Sequence, residues 1–178
     1  MKIYFIRHGE SEANKLDIGA GSEYETPLTD LGREQAKKTG QKLKSKRIDL
    51  IVSSPMERTV ETAKIIAKEI GYEPKKILLN PDFVERGWGI YSKRPNSEYT
   101  AAVLSDKPLH ESVEPVDVMH KRVTKGLEWL SQQKAHNVVL ISHGGVSRIL
   151  RMIHQNLPHS HMYKMDRLPN AEIYEFEL

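Results

Sequence analysis

The sequence predicts an α/β fold, a three-layer α/β/α sandwich around a mostly parallel central sheet. Short apolar runs alternate along the chain with longer segments of helical periodicity, the order that βαβ units require. Two of those runs, Ile48-Asp49-Leu50-Ile51-Val52-Ser53 and Val138-Val139-Leu140-Ile141, are β-branched and nearly continuous in apolarity. That pattern marks strands buried on both faces.

Strands are expected at 2–6, 48–53, 77–79, 137–142 and 171–177. The last, Ile173-Tyr174-Glu175-Phe176-Glu177-Leu178, alternates in part and reads as an edge strand. A helix is expected over 31–45, with Leu31, Gln35, Ala36, Thr39 and Leu43 facing inward and Thr29 or Asp30 as N-cap. Another is expected over 55–70, capped by Ser54, with Pro55 at its first position and Glu57 completing a capping box. Its stripe would be Val60, Ala63, Ile66, Ala67 and Ile70, and Gly71 would end it. Residues 115–133 repeat Val116, Met119, Val123, Leu127 and Leu130, and residues 145–155 carry Val146, Ile149, Leu150 and Ile153. The segment 87–114 is polar and irregular, with a short helix expected near 97–104. It reads as a cap-like insertion in a single domain spanning 1–178.

With 178 residues, 38% hydrophobic and 29% charged, the chain suits one ordered domain with a sizeable core. No apolar run approaches the roughly 20 residues of a membrane span. The absence of cysteine excludes disulfides and thiolate chemistry, and the chain opens on a strand-like run rather than a signal-peptide layout. The expected compartment is the cytoplasm. The net charge of +3 is too weak and dispersed for a nucleic-acid surface. Lys37, Lys38, Lys42, Lys44, Lys46 and Arg47 read as a solvated helix face, without the interleaved aromatics that nucleic-acid binding favours.

The chemistry gathers at strand ends, where open α/β sheets bind their ligands. The first strand delivers Arg7 and His8. The second delivers Ser53-Ser54 and a helix carrying Arg58. The late strand delivers His143, with Gly144-Gly145 opening the next helix. Helix starts offer free N–H groups and partial positive charge, and arginine recognises phosphate oxygens in pairs. Together these residues suit a phosphoryl group.

Four blocks resemble the histidine phosphatase superfamily, in its phosphoglycerate-mutase-like branch. They are Arg7-His8-Gly9-Glu10-Ser11, then Pro27-Leu28-Thr29 with Gly32 and Gln35-Ala36, then Ser53-Ser54-Pro55-Met56-Glu57-Arg58-Thr59 with Thr62-Ala63, and last Ser142-His143-Gly144-Gly145. The resemblance covers nearly the whole chain, in family order. It implies that His8 is the nucleophile and becomes phosphohistidine. It implies that Arg7, Arg58, His143, Asn14 and Gly144 hold the phosphate, His143 best as a cation. Val84-Glu85-Arg86-Gly87-Trp88-Gly89 matches the family's acid motif, which makes Glu85 the general acid and base. Relatives often continue with a Trp-Glu-Gly-like run, where this chain has Ile90-Tyr91-Ser92-Lys93.

No metal or other cofactor is called for, because arginines and His143 supply the positive charge. The implied activity is hydrolysis of a small phosphate monoester through phosphohistidine. A cofactor-dependent phosphoglycerate mutase shares the core residues, but the Arg-Arg-containing insertion of mutases does not follow the Glu85 motif. A non-catalytic module of the same fold would have lost a nucleophile or an arginine. A phosphoprotein substrate stays open, as do sugar phosphates, phosphoglycerates and a ribazole phosphate, because specificity falls on 15–26 and 87–114. Oligomeric state stays open too, a homodimer included. Glu10 reads as catalytic by position or as a brace of the loop, and Trp88 and Tyr91 as pocket lining or a small core. His154, His159 and His161 lack the oriented second shell of a metal site. His110, His120 and His136 read as surface residues.

Overall fold

The computed structural model describes residues 1–105 and 107–178. Five strands form one sheet in the order β3-β2-β4-β1-β5. They are β1 (Lys2–Arg7), β2 (Leu50–Ser53), β3 (Leu78–Leu79), β4 (Asn137–Ser142) and β5 (Ile173–Glu177). β1 runs parallel to β4, β4 to β2 and β2 to β3, while β5 lies antiparallel against β1 at the edge. The partial alternation of β5 follows from that edge position.

The helices are α1 (Glu12–Lys15), α2 (Asp30–Leu43), α3 (Glu57–Ile70), α4 (Asn96–Leu104), α5 (Val116–Ser131) and α6 (Gly144–His154); α2 and α3 cover one face of the sheet, and α5 and α6 the other. Period-two alternation along the sheet sorts the core. Ile3, Phe5, Val138 and Leu140 pack with Met119, Val123, Leu130, Val146 and Ile149 of α5 and α6. Tyr4, Ile6, Val139 and Ile141 pack with Leu43, Ala63, Ile66 and Ala67 of α2 and α3. Among the described residues, no helix is long and apolar enough to cross a membrane.

Three local expectations are corrected. Leu31 is 54% exposed, and α2 instead buries Gly32, Ala36, Thr39, Gly40 and Leu43. A Cβ at Gly40 would lie 2.7 Å from the Glu69 side chain and one at Gly32 would lie 2.0 Å from the Glu10 carbonyl oxygen. Close backbone approach therefore rotates the inward face of α2 onto its glycines. The N-cap of α2 is Thr29, whose hydroxyl accepts from the Gly32 N–H at 3.0 Å.

The second correction concerns the start of α3. Its N-cap is Met56, without a side-chain cap, so Ser54 and Glu57 form no capping box. Ser54 is committed elsewhere, to His143. Thirdly, α3 buries Arg58, Thr59 and Thr62 in its first turns rather than Val60. Those turns lie over the carboxyl ends of the strands, where polar partners are available. Gly71 ends the helix with φ of 73°, the left-handed cap that glycine favours.

Candidate active site

The two histidines meet because the strands that carry them are neighbours. The His8 N–H donates to the Ser142 carbonyl at 2.9 Å, extending the β1–β4 pairing past the end of β1. The rings of His8 and His143 then lie edge to face, with centroids 5.3 Å apart. Both are buried, at 4% and 0% exposure.

His8 presents one defined nitrogen. Its Nδ1 lies 2.7 Å from the Gly9 carbonyl oxygen. A carbonyl only accepts, so Nδ1 carries the proton and Nε2 keeps the lone pair of the neutral ring. Burial, followed by the charges of Arg58 and Arg7, holds His8 well below the usual imidazole range. The loop that fixes this ring is tightly packed. The Gly9 N–H donates to the Thr62 hydroxyl at 3.1 Å, and a Cβ at Gly9 would lie 2.4 Å from the Gly32 carbonyl oxygen. Glu10 braces the same loop, accepting from the Thr29 hydroxyl at 2.8 Å.

His143 lies 2.9 Å, through Nε2, from the Ser54 hydroxyl. Its Nδ1 is buried and unpartnered among the described residues. The expected cationic form is not the one the protein itself favours. Burial, then Arg58, His8, Arg122 and Arg7, holds His143 well below its ordinary value. A bound phosphate dianion would supply the opposing term.

Arg7 and Arg58 are aimed by backbone carbonyls. Arg7 donates through Nη1 to Leu168 at 2.8 Å, while its Nε is buried without a partner. Burial lowers its pKa to about 10, against the opposing attraction of Glu85. Arg58 is 2% exposed and donates to the carbonyls of Gly21 at 2.9 Å and Tyr24 at 3.3 Å. Burial lowers its pKa as well. The Asn14 oxygen accepts from the Ser11 N–H at 3.2 Å and from Asn170 Nδ2 at 3.1 Å. Its amide nitrogen is thereby left as the donor facing the cavity. Gly144 brings the start of α6 to the guanidinium of Arg7, 3.5 Å from a Cβ built there.

Glu85 completes the group. Its Oε2 accepts from the Gly145 N–H at 3.0 Å and its Oε1 from the Arg86 N–H at 2.8 Å. A Cβ at position 145 would lie 2.2 Å from Oε1, so glycine there makes room for the carboxylate. Behind it, Arg122 of α5 donates to the carbonyls of Asp82, Val84 and Glu85 at 3.0, 2.8 and 3.0 Å. Glu114 grips the same guanidinium at 2.7 and 2.9 Å.

One narrow cavity gathers Arg7, His8, Asn14, Arg58, Glu85 and Gly144. His143 supports it from behind rather than lining it. Sequence reasoning missed four contributors. Arg148 and Arg167 add cations to the lining, Arg122 holds the Glu85 turn, and Asn170 donates to the His8 carbonyl at 2.9 Å. None lies in a recognisable motif.

The segments 15–26 and 87–114 meet over this cavity. Gly19 exchanges backbone hydrogen bonds with Arg94 and Lys93 at 2.8 and 2.7 Å, and Glu23 accepts from the Trp88 and Gly89 N–H groups at 3.2 and 2.9 Å. Trp88 lines the cavity and stacks on Tyr99 with centroids 4.1 Å apart, whereas Tyr91 packs edge-on against Tyr99. Arg86 lines the cavity too, and donates to the hydroxyls of Tyr99 and Tyr163. The remaining histidines are dispersed. His154 bonds the Tyr174 hydroxyl at 2.7 Å, and His159 lies against a half-buried His120 with centroids 4.7 Å apart. His110 and His136 are exposed.

The chain is 30% identical over 149 residues to a Bacillus subtilis protein named uncharacterized phosphatase PhoE, covering 83% of this chain and 74% of that one. It is 39% identical over 94 residues to a Photorhabdus laumondii protein named probable phosphoglycerate mutase GpmB, a match spanning 53% of this chain and 42% of that protein. The α-ribazole phosphatase structure from Shigella flexneri superimposes with a TM-score of 0.86 at 24% identity, covering 100% of this chain and 91% of that one; it shows the shared fold. The family model of the histidine phosphatase superfamily, branch 1, matches residues 3–178, and this chain belongs to that superfamily.

Proposed function

We propose that this protein is a metal-independent phosphatase that hydrolyses a small phosphate monoester through a phosphohistidine at His8. The observation that carries this reading is the Nδ1 hydrogen bond from His8 to Gly9 at 2.7 Å. It leaves Nε2 unprotonated in a cavity that also holds Arg7, Arg58 and Asn14.

In the first step, Nε2 attacks phosphorus, a P–N bond forms and the ester P–O bond breaks. Glu85, in its acid form, gives its proton to the departing alkoxide oxygen, which leaves as an alcohol. The guanidinium groups of Arg7 and Arg58 neutralise charge on the phosphoryl oxygens in flight. In the second step, water gives a proton to Glu85 and attacks phosphorus. The P–N bond breaks, inorganic phosphate is released, and His8 and Glu85 are restored. Each Glu85 oxygen accepts one backbone N–H and keeps a lone pair for this exchange. The arginines supply the positive charge that a metal would otherwise bring.

A phosphoglycerate mutase would use the same residues, and one relative carries that name. Such an enzyme keeps water from phosphohistidine. Here the catalytic cavity shares Asn96, Tyr99, Arg148, Tyr163 and Arg167 with a larger, more open cavity. That opening favours hydrolysis.

The test is turnover of an aryl phosphate in excess chelator by wild type and His8→Ala. Wild-type turnover that survives chelation and falls by about 10⁴-fold or more in His8→Ala is expected. Activity unchanged in His8→Ala, or abolished in the wild type by chelator, would overturn this reading.

A further inference from the structure

We propose that Arg148 and Arg167 form a second oxyanion subsite, so that the preferred phosphate ester carries another anionic group, a carboxylate or a second phosphate, on its leaving portion. This assignment rests on the phosphatase reading for its catalytic meaning, but not for its binding test.

These two guanidinium groups differ from the other cations of the cavity. Arg7 is held by the Leu168 carbonyl, Arg58 by those of Gly21 and Tyr24, and Arg86 by Glu114 and Tyr99. Neither Arg148 nor Arg167 takes part in an ion pair among the described residues. The Nε of Arg148 is moreover buried without a partner. A buried donor left unpaired costs free energy that a bound acceptor recovers. Glu85 lines the same cavity, and Asp17 and Asp166 line the larger one, yet none of them pairs with either arginine; the two cations repel each other, and an added anion relieves both at once. Burial, then the charge of Arg167, lowers the Arg148 pKa against the attraction of Glu85.

Position separates this pair from the reacting phosphate. Both arginines also line the larger cavity, which has about 710 Å³ of space and is bounded further by Thr100, Val103, Leu104 and Met165. His8, Arg7, Arg58 and Glu85 are not among the residues lining it. A substrate with its phosphate at His8 would therefore extend its leaving portion past Arg148 and Arg167. Arg167 has a fixed backdrop, lying 5.8 Å over the ring of Trp88, which is itself stacked on Tyr99. An arginine seated on an aromatic face keeps its planar fork free for an oxyanion.

The test compares matched ligands that differ only in the second charge. Binding to His8→Ala protein is measured by calorimetry for 3-phosphoglycerate against glycerol 3-phosphate, and for fructose 1,6-bisphosphate against fructose 6-phosphate. At least one pair is expected to show a preference of about tenfold or more for the doubly anionic member, the size of one charge-assisted contact. Whichever pair shows it identifies carboxylate or phosphate as the second group. Arg148→Gln and Arg167→Gln, made singly, are each expected to bring that preference to within about threefold of unity. Arg148→Lys is expected to restore part of it, because it returns the charge without the fork. Equal binding within both pairs, or a preference that survives both substitutions, would overturn the proposal. Because the binding ratio requires no turnover, failure of the subsite and failure of the phosphatase reading are read separately. Wild-type aryl phosphate hydrolysis reports only the latter. Should a substitution prevent folding, the His8→Ala ratios alone still decide whether the preference exists.

Discussion

The inner and outer halves of the cavity are built on different principles. In the inner half, His8, Arg7, Arg58 and Glu85 are each pinned by a backbone group within 2.7 to 3.0 Å. Gly9 follows the end of β1 and Gly145 opens α6, while Gly21 and Leu168 lie in the connecting loops. In the outer half, Trp88, Tyr99, Arg86, Tyr163 and Arg167 meet one another mainly through side chains, and Arg148 lines the same space. The inner half depends on the main chain, which the fold fixes. The outer half depends on residues that can be exchanged while the sheet stays intact. On the proposed reading, reaction chemistry belongs to the first region and selection among substrates to the second.

The sharpest way to break this comparison is Gly145→Ala. The new Cβ would lie 2.2 Å from Glu85 Oε1, so the carboxylate must move while the backbone stays. A displacement of about 1 Å near the reacting atoms costs roughly 10²-fold in rate. The expected result is a kcat lower by about that factor with an almost unchanged melting temperature. The two are measured side by side by steady-state kinetics and thermal denaturation.

Arg122→Gln tests whether main-chain pinning reaches through a second layer. It removes donors to three carbonyls and leaves Glu114, at 17% exposure, without its cation and with only the Gly87 N–H. A stability loss of about 2 kcal/mol is expected, read from denaturant unfolding. Glu85 moves with its turn, so kcat falls while KM changes little. A fall in stability without a fall in kcat would confine Arg122 to a structural role.

The smallest effect comes with pH. The folded pKa values of His8 and His143 lie below the ordinary value, so the unfolded chain binds more protons just below pH 6.5. Stability is therefore complete above that pH and declines as pH falls toward the folded values, by roughly 1 kcal/mol per histidine between pH 6.5 and 5.5. Urea unfolding at the two pH values measures it, and His143→Gln is expected to flatten the slope by about half.

Much of this was legible in sequence. The strands at 137–142 and 2–6 and the helix starting near 116 follow from apolar periodicity, because each packs an uninterrupted apolar face in the core. The inward faces of α2 and α3 were less legible. Gly32, Gly40, Thr59 and Thr62 are neither apolar nor large, yet backbone contact and local hydrogen bonds bury them. Arg7, His8, Arg58 and His143 were legible because each stands beside a strand end or helix start in a compact block. Arg122 and Arg148 were not. Each sits on the margin of an otherwise ordinary amphipathic helix, between residues such as Met119 and Val123 or Ser147 and Ile149, and only tertiary contact distinguishes it from a solvated cation. Arg167 lies in an irregular segment where periodicity carries no signal.

The bond from Asn170 to the His8 carbonyl joins residues 162 apart in sequence, and the Ala171 N–H reaches the Arg7 carbonyl at 2.9 Å nearby. Contacts of such long range form late, because chain entropy must be spent before they return anything. In a refolding experiment, helix signal would then rise first and phosphatase activity would appear only with the slowest phase. On the proposed reading, activity would act as a clock for the closing of the whole chain, since the surroundings of His8 are complete only when the last strand has found the first.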